Sequence, residues 1–191
     1  MSSSPISFNR TDALYLFRGN VGIQSISYRW LTAHGPIDHY DAVGWYFNEP
    51  DAPVEIVPLA NCVLDGPLRD LPMGGRMGTL RFARTLAPGE EYFFAYTTKF
   101  NSEQVCRQAI LYEVRGREMR SLTVRAQFDP AALPVRAWYF DVEAQTEGWA
   151  TPDDDSPQML EIASNGYVER QFTHCEHSRK YGLRWEWRRQ N

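Results

Sequence analysis

The stretch IQSISYRWL, residues 23–31, alternates in character at almost every step. Ile26, Tyr28 and Trp30 fall on one side of an extended chain, with Ser25, Ser27 and Arg29 on the other. A strand satisfies this period of two and a helix does not. Taken alone, the segment predicts a half-buried strand with its large apolar side chains inward and its serines and arginine in water.

The same period recurs along the chain. TLRFARTL sets Leu80 and Phe82 against Arg81, and EYFFAYTTKF carries Tyr92, Phe94, Tyr96 and Phe100 at even positions. RSLTVRAQFD puts Leu122, Val124, Ala126 and Phe128 on one side. YGLRWEWR opposes Leu183, Trp185 and Trp187 to Arg184, Glu186 and Arg188. Pro88-Gly89 separates a strand at 79–86 from one at 91–100. Gly116-Arg117 reads as a hairpin turn between AILYEVR and MRSLTVRAQF, and Asn165-Gly166 as a tight type I′ turn, where both residues tolerate positive φ. Roughly ten strands result, at the spacing of a sandwich or barrel. DPAALP, closed by Pro134, is too short for more than one helical turn. The stretches 65–78 and 148–158, rich in Gly, Pro and acid, read as surface loops.

A chain of 191 residues with 43% hydrophobic and 14% aromatic content can bury one substantial core, so 1–191 reads as a single domain, with 1–10 as a flexible tail. A formal net charge of -4 argues against nonspecific nucleic-acid binding, which draws on basic surface. Only Lys99 and Lys180 are lysine among the 20 basic residues, a bias of GC-rich bacterial genomes rather than of a binding role. Cys62, Cys106 and Cys175 are too few, too scattered and odd in number for a disulfide framework. No secretory leader pattern opens the sequence and no stretch approaches the ~18 apolar residues of a membrane span. The expectation is a cytoplasmic protein without a membrane partner.

The four histidines fall in two places, His34 and His39 in TAHGPIDHYDAVGW, and His174 and His177 in THCEHSRKYGLRWEW. If the two loops share one end of a sandwich, His174, Cys175 and His177 become candidate Zn²⁺ ligands with His34 and His39, because zinc takes nitrogen and sulfur donors in a tetrahedron. His-x-x-His on a strand, however, points its rings to opposite faces. Cys175 is also a candidate nucleophile, yet adjacent residues on a strand point apart, so His174 is badly placed to serve it. Asp153-Asp154-Asp155 lacks the alternate spacing of a calcium loop. GGRMG at 74–78 lacks the following helix and the Lys-Ser/Thr of a phosphate loop. No cofactor is implied. Trp45-Tyr46-Phe47 and Phe93-Phe94 place rings on both faces of their strands, leaving Tyr46 and Phe93 outward or under a loop; with His34 and His39 they are the candidate binding residues.

LTVRAQFDPAALPVRAWYF, followed some way on by YGLRWEW, resembles the β-rich C-terminal region of actinobacterial helix-turn-helix regulators. The matching positions are Phe128, Asp129, Pro130, Leu133, Pro134 and Trp138, then Tyr181 to Trp187. These motifs are structural, and the similarity covers roughly residues 20–188. It implies a β module without the DNA reader, and brings no catalytic residues.

The expected fold is therefore all-β: an antiparallel two-sheet β-sandwich, immunoglobulin-like or jelly-roll in style, with a closed barrel as the alternative. The expected core holds Ile26, Tyr28, Trp30, Leu80, Phe82, Phe94, Leu122, Val124, Phe128, Trp185 and Trp187. The expected function is non-catalytic recognition of a partner protein or small ligand. The alternative is a small enzyme whose internal apolar pocket orients a substrate. A solid interior favours recognition through loops or the outer face. A cavity of ~300 Å³ or more, lined by aromatics and open to solvent, favours the enzyme.

Overall fold

The computed structural model describes residues 4–46, 52–72, 74–114, 119–146 and 150–188. The chain is built of strands: β1 (Ile6–Arg18), β2 (Val21–Ala33), β3 (Ile37–Gly44), β4 (Val54–Ala60), β5 (Cys62–Leu64), β6 (Arg69–Asp70) and β7 (Arg76–Leu86). They continue with β8 (Glu91–Phe100), β9 (Ala109–Glu113), β10 (Met119–Gln127), β11 (Arg136–Glu143), β12 (Met159–Leu160), β13 (Tyr167–Cys175) and β14 (Arg179–Glu186). A single 3₁₀ turn at Pro130–Ala132 is all that DPAALP forms, opened by Asp129, whose side chain accepts from Ala131 N. No helix among the described residues is long and apolar enough to cross a membrane.

One layer is a six-stranded sheet in the order β13-β10-β1-β2-β8-β4. The opposing layer is split into two four-stranded sheets, each open: β12-β11-β14-β9, and β3-β7-β5 with β6 also on β7. The protein is thus an all-β sandwich and not a barrel, but its second layer is double where a single sheet was expected. The first half-sandwich buries Leu122, Val124 and Phe172 of the long sheet against Ile110, Leu183 and Trp185. The second buries Leu31, Ile56 and Phe94 against Ala42, Leu80 and Leu86.

Pairing is antiparallel except between β1 and β10, which run parallel. Side-chain alternation is the same in both directions, so it carries no sign of this pairing; the long excursion between the two strands supplies the crossover that parallel neighbours need. The supposed tail is partly strand. Ile6, Ser7 and Phe8 pair with Ala33, Thr32 and Leu31, and a bulge at Asn9 keeps both Phe8 and Thr11 on the inner face.

Two turns depart from expectation. β9 pairs with β14 and β10 with β1 and β13, so AILYEVR and MRSLTVRAQF are in different sheets and form no hairpin; Gly116-Arg117 lies outside the described residues. At Asn165-Gly166 only Gly166 has positive φ, at 85°. Gly166 N donates to Ala163 O and Ala163 N to Tyr167 O, a three-residue loop with its glycine in the left-handed position rather than a type I′ pair.

The most consequential difference is the phase of β2. Ser25, Ser27, Arg29, Leu31 and Ala33 are the buried side, while Tyr28 is 37% exposed and Ile26 and Trp30 lie half-buried on the outer face. Trp30 packs there against Phe93 at 4.8 Å, the rings tilted by 38°, and carries the Arg10 guanidinium at 4.7 Å, so the aromatic side is covered by neighbours on the same face. Leu80, Phe82, Phe94, Leu122, Val124, Phe128 and Trp185 are buried as expected, and Trp187 packs partly buried against them.

Candidate functional site

The serines and arginine on the inner face of β2 are buried without being packed in hydrocarbon, because they lie beneath the seam where the two facing sheets part. β3 is the edge of one facing sheet and β9 of the other. Among the described residues β3 pairs only with β7 and β9 only with β14, so no ladder bridges the gap. The floor consists of β1, β2 and β8. Between floor and edges lies a cavity of about 260 Å³.

Its inner end is polar, with Tyr15, Ser25, Ser27, Arg29, Tyr96 and Tyr112; its outer part is apolar, with Phe17, Phe100, Ile110 and Trp185. Val43, Trp45 and Arg107 also line it and are exposed, marking where it opens to solvent. Gly44 lets β3 reach the floor: a Cβ there would sit 2.8 Å from Thr98 Cγ2. Tyr46 closes one side, its hydroxyl donating to Gln104 O at 2.6 Å and accepting from Gly22 N at 3.3 Å.

Arg29 is the charged group of this inner end and is 8% exposed. It lies between the layers under one ring from each facing sheet, Tyr40 of β3 at 5.9 Å and Tyr112 of β9 at 5.8 Å, with Phe8 at 5.1 Å. Nη1 donates to Thr11 Oγ1 at 3.3 Å and Tyr96 supplies a second hydrogen bond, whereas Nε has no acceptor. No ion pair to Arg29 occurs among the described residues. Asp12, the adjacent acid on β1, pairs with Arg10 and Arg125. Burial alone draws the guanidinium's pKa down, but Tyr96, Tyr40 and Tyr112 outweigh it and the net shift is upward. The cation is therefore permanent. Burial raises the phenols of Tyr15, Tyr40 and Tyr112 as well, Tyr15 further through Tyr112, whose oxygen is 3.1 Å away.

The residues singled out from sequence are scattered over the molecule. Tyr46, expected outward or under a loop, is 5% exposed and lines the cavity. Phe93 is outward, half-buried against Trp30. His34 hydrogen-bonds Ser7 Oγ at 2.8 Å and borders a hollow of about 290 Å³ together with His174 and Arg120. His39 is held by Asp38 at 2.8 Å on the exposed surface. His177 borders a different hollow, with Glu143, Glu176 and Arg179. Cys175 points into the core, with its thiol pushed up to about 11 by burial and then by Asp141. His174 is exposed and Cys175 buried, because the alternation of β13 breaks at His174, whose φ of 54° is left-handed; the following turn carries His177 away. No cluster of three His, Cys, Asp or Glu that could hold a metal forms among the described residues.

Arg29, Tyr15, Tyr40, Tyr112, Ser25 and Ser27 were not recognised from sequence. One signal was present: Leu31 and Ala33 continue the serine-arginine side of β2, and two apolar residues at the end of a polar face indicate that this face turns inward.

Fold and site together define an all-β sandwich with a cation-floored cavity at the seam of a divided layer. No protein-family model matches the chain, and no curated protein matches it. Among solved structures it is similar to an M1 zinc metallopeptidase from Deinococcus radiodurans, with 12% identity over 95% of this chain and a TM-score of 0.47. It is likewise similar to a mutant two-domain M1 zinc metallopeptidase bound to L-arginine, with 12% identity over 94% of this chain and a TM-score of 0.48. The chain spans 42% of each of those chains.

Proposed function

We propose that the protein is a non-catalytic recognition module that takes a small molecule into the cavity between its sheets. The observation that carries this is the inverted phase of β2, which turns Ser25, Ser27 and Arg29 toward an opening rather than toward water. A cavity of about 260 Å³ falls just under the usual range for ligand pockets, roughly 300 Å³ upward. It exceeds the roughly 150 Å³ of an engineered apolar cavity known to take up benzene. One ring with a few further heavy atoms fits.

The lining favours binding over turnover. Among the described residues it includes no His, Asp or Glu, and its Cys106 thiol is pushed up to about 12 by burial. General acid–base or thiolate chemistry at neutral pH needs a group poised near that pH. Three free cysteines agree with work in the cytoplasm.

Ser27→Phe tests the proposal, with benzyl alcohol as the probe. In the natural chain the probe should shift the amide resonances of β2 and β9. Ser27→Phe should abolish those shifts while costing only about 1–3 kcal/mol, because the new ring enters open space and the loss is the Ser27 hydrogen bond to Tyr112. A natural chain that ignores the probe, or a variant that unfolds from overpacking, would contradict the cavity.

A further inference from the structure

Arg29 is the one feature of the cavity that the packing of the sandwich does not require. A cation in a protein interior is tolerated when it is paired and hydrogen-bonded. Here the surroundings meet that need by half. The faces of Phe8, Tyr40 and Tyr112 attract the guanidinium through their quadrupoles but bring no negative charge. Thr11 and Tyr96 accept from it, Nε finds no acceptor, and Asp12 is engaged with Arg10 and Arg125. A buried, permanently charged guanidinium that lines a cavity and has no anionic partner among the described residues calls for an anion.

The kind of anion follows from the rest of the lining. A single cation balances a single negative charge, and the planar guanidinium matches the two oxygens of a carboxylate. The hydroxyls of Ser25 and Ser27 on the floor and of Tyr112 on β9 line the same cavity, Tyr112 being held by hydrogen bonds with Tyr15 and Ser27. Toward the mouth the lining turns apolar at Phe17, Phe100, Ile110 and Trp185. Arg107 stands exposed at the opening, where a positive charge raises the local concentration of anions. We infer that the cavity binds a small monocarboxylate with an aromatic or branched apolar body, its carboxylate on Arg29 and its body between β9 and the floor. This rests on the cavity being a ligand site, as proposed above, and adds the ligand's class.

Calorimetric titration of the full chain with benzoate, benzamide and inorganic phosphate tests it, using the natural protein, Arg29→Met and Arg29→Lys. Benzoate and benzamide have nearly the same shape and differ in charge. Benzoate should bind the natural chain roughly 10- to 100-fold more tightly than benzamide, the scale of a charge-assisted hydrogen bond. Arg29→Met should erase that preference, leaving both probes weak, and Arg29→Lys should retain part of it. Equal binding of benzoate and benzamide to the natural chain, or undiminished benzoate binding to Arg29→Met, would overturn the carboxylate and leave the cavity standing. Tighter binding of phosphate than of benzoate would overturn it in favour of a phosphate site. Binding of none of the three would overturn the inference, and if benzyl alcohol also fails to bind, the cavity falls with it. If Arg29→Met does not fold, the comparison of benzoate with benzamide on the natural chain decides the matter alone.

Discussion

Replacing Leu31 by alanine removes the side chain that most directly reports which face of β2 is inside. Leu31 is 0% exposed and packs with Ala33, Ala42, Ile56 and Phe94 between the long sheet and one facing sheet. Truncating a leucine so enclosed loses both its transfer free energy and the contacts around the hole, about 3–4 kcal/mol. In a domain of this size each kcal/mol moves the melting temperature by roughly 2–4 °C, so a drop of roughly 6–16 °C is expected. Tyr28 is the matched comparison, three residues earlier on the opposite face and 37% exposed. Tyr28→Thr keeps a strand-forming residue and opens its vacated space to water, so no cavity term arises and about 1 kcal/mol is expected. Urea denaturation followed by near-ultraviolet circular dichroism measures both, provided the m-value is unchanged. If Tyr28→Thr proves the more damaging, the phase of β2 assigned here is wrong, and the polar lining of the cavity goes with it.

Gly166→Ala should destabilise by more than about 1 kcal/mol, because its φ of 85° is left-handed and the new Cβ would press on the Phe128 carbonyl; an unchanged urea midpoint would contradict that turn geometry. In the native protein at neutral pH, iodoacetamide should label partly exposed Cys62 before Cys106 and Cys175, read by mass spectrometry; early labelling of Cys175 would contradict its burial. Because Cys106 and Cys175 are raised to about 12 and about 11, the stability they contribute is full below the unfolded thiol pKa. It is lost as pH rises through those values, and Cys106→Ala should flatten the alkaline fall. Asp129 runs the other way. Backbone N–H groups of Gly19, then Ala131, lower its pKa, so its contribution is present above the ordinary carboxylate value and lost as pH falls through the lowered one. Asp129→Ala should weaken the protein at neutral pH and reduce its acid sensitivity, and an unchanged acid profile would count against the cap.

Much of the fold was legible because most strands carry large apolar groups on one side and charges or small polar groups on the other. β7, β10 and β14 are of this kind, and Leu80, Val124 and Trp185 are buried as their alternation predicts. β2 misleads because both of its faces have work to do. The outer face holds amphipathic rings that half-bury one another, as Trp30 does with Phe93 and Arg10, while the inner face borders a cavity and remains polar. Alternation shows that two faces differ, and only the neighbours show which is inside. Strand direction and sheet membership were hidden for a related reason: the parallel pairing of β1 with β10 and the division of the second layer depend on contacts between distant segments. The histidine cluster at 174–177 stood out in sequence, yet a left-handed residue at His174 and the turn after Cys175 send its side chains apart. Arg29, alone among serines, looked like part of a wet surface.

The most direct test of a cation-floored ligand cavity is a titration of the ¹⁵N-labelled chain with benzoate, following the Arg29 Nε–H resonance beside the amides of Ser25, Ser27 and Tyr112. The account predicts that these four signals shift together and saturate at one equivalent. An unmoved Arg29 Nε–H, with the shifts gathered on another face or absent throughout, would contradict it.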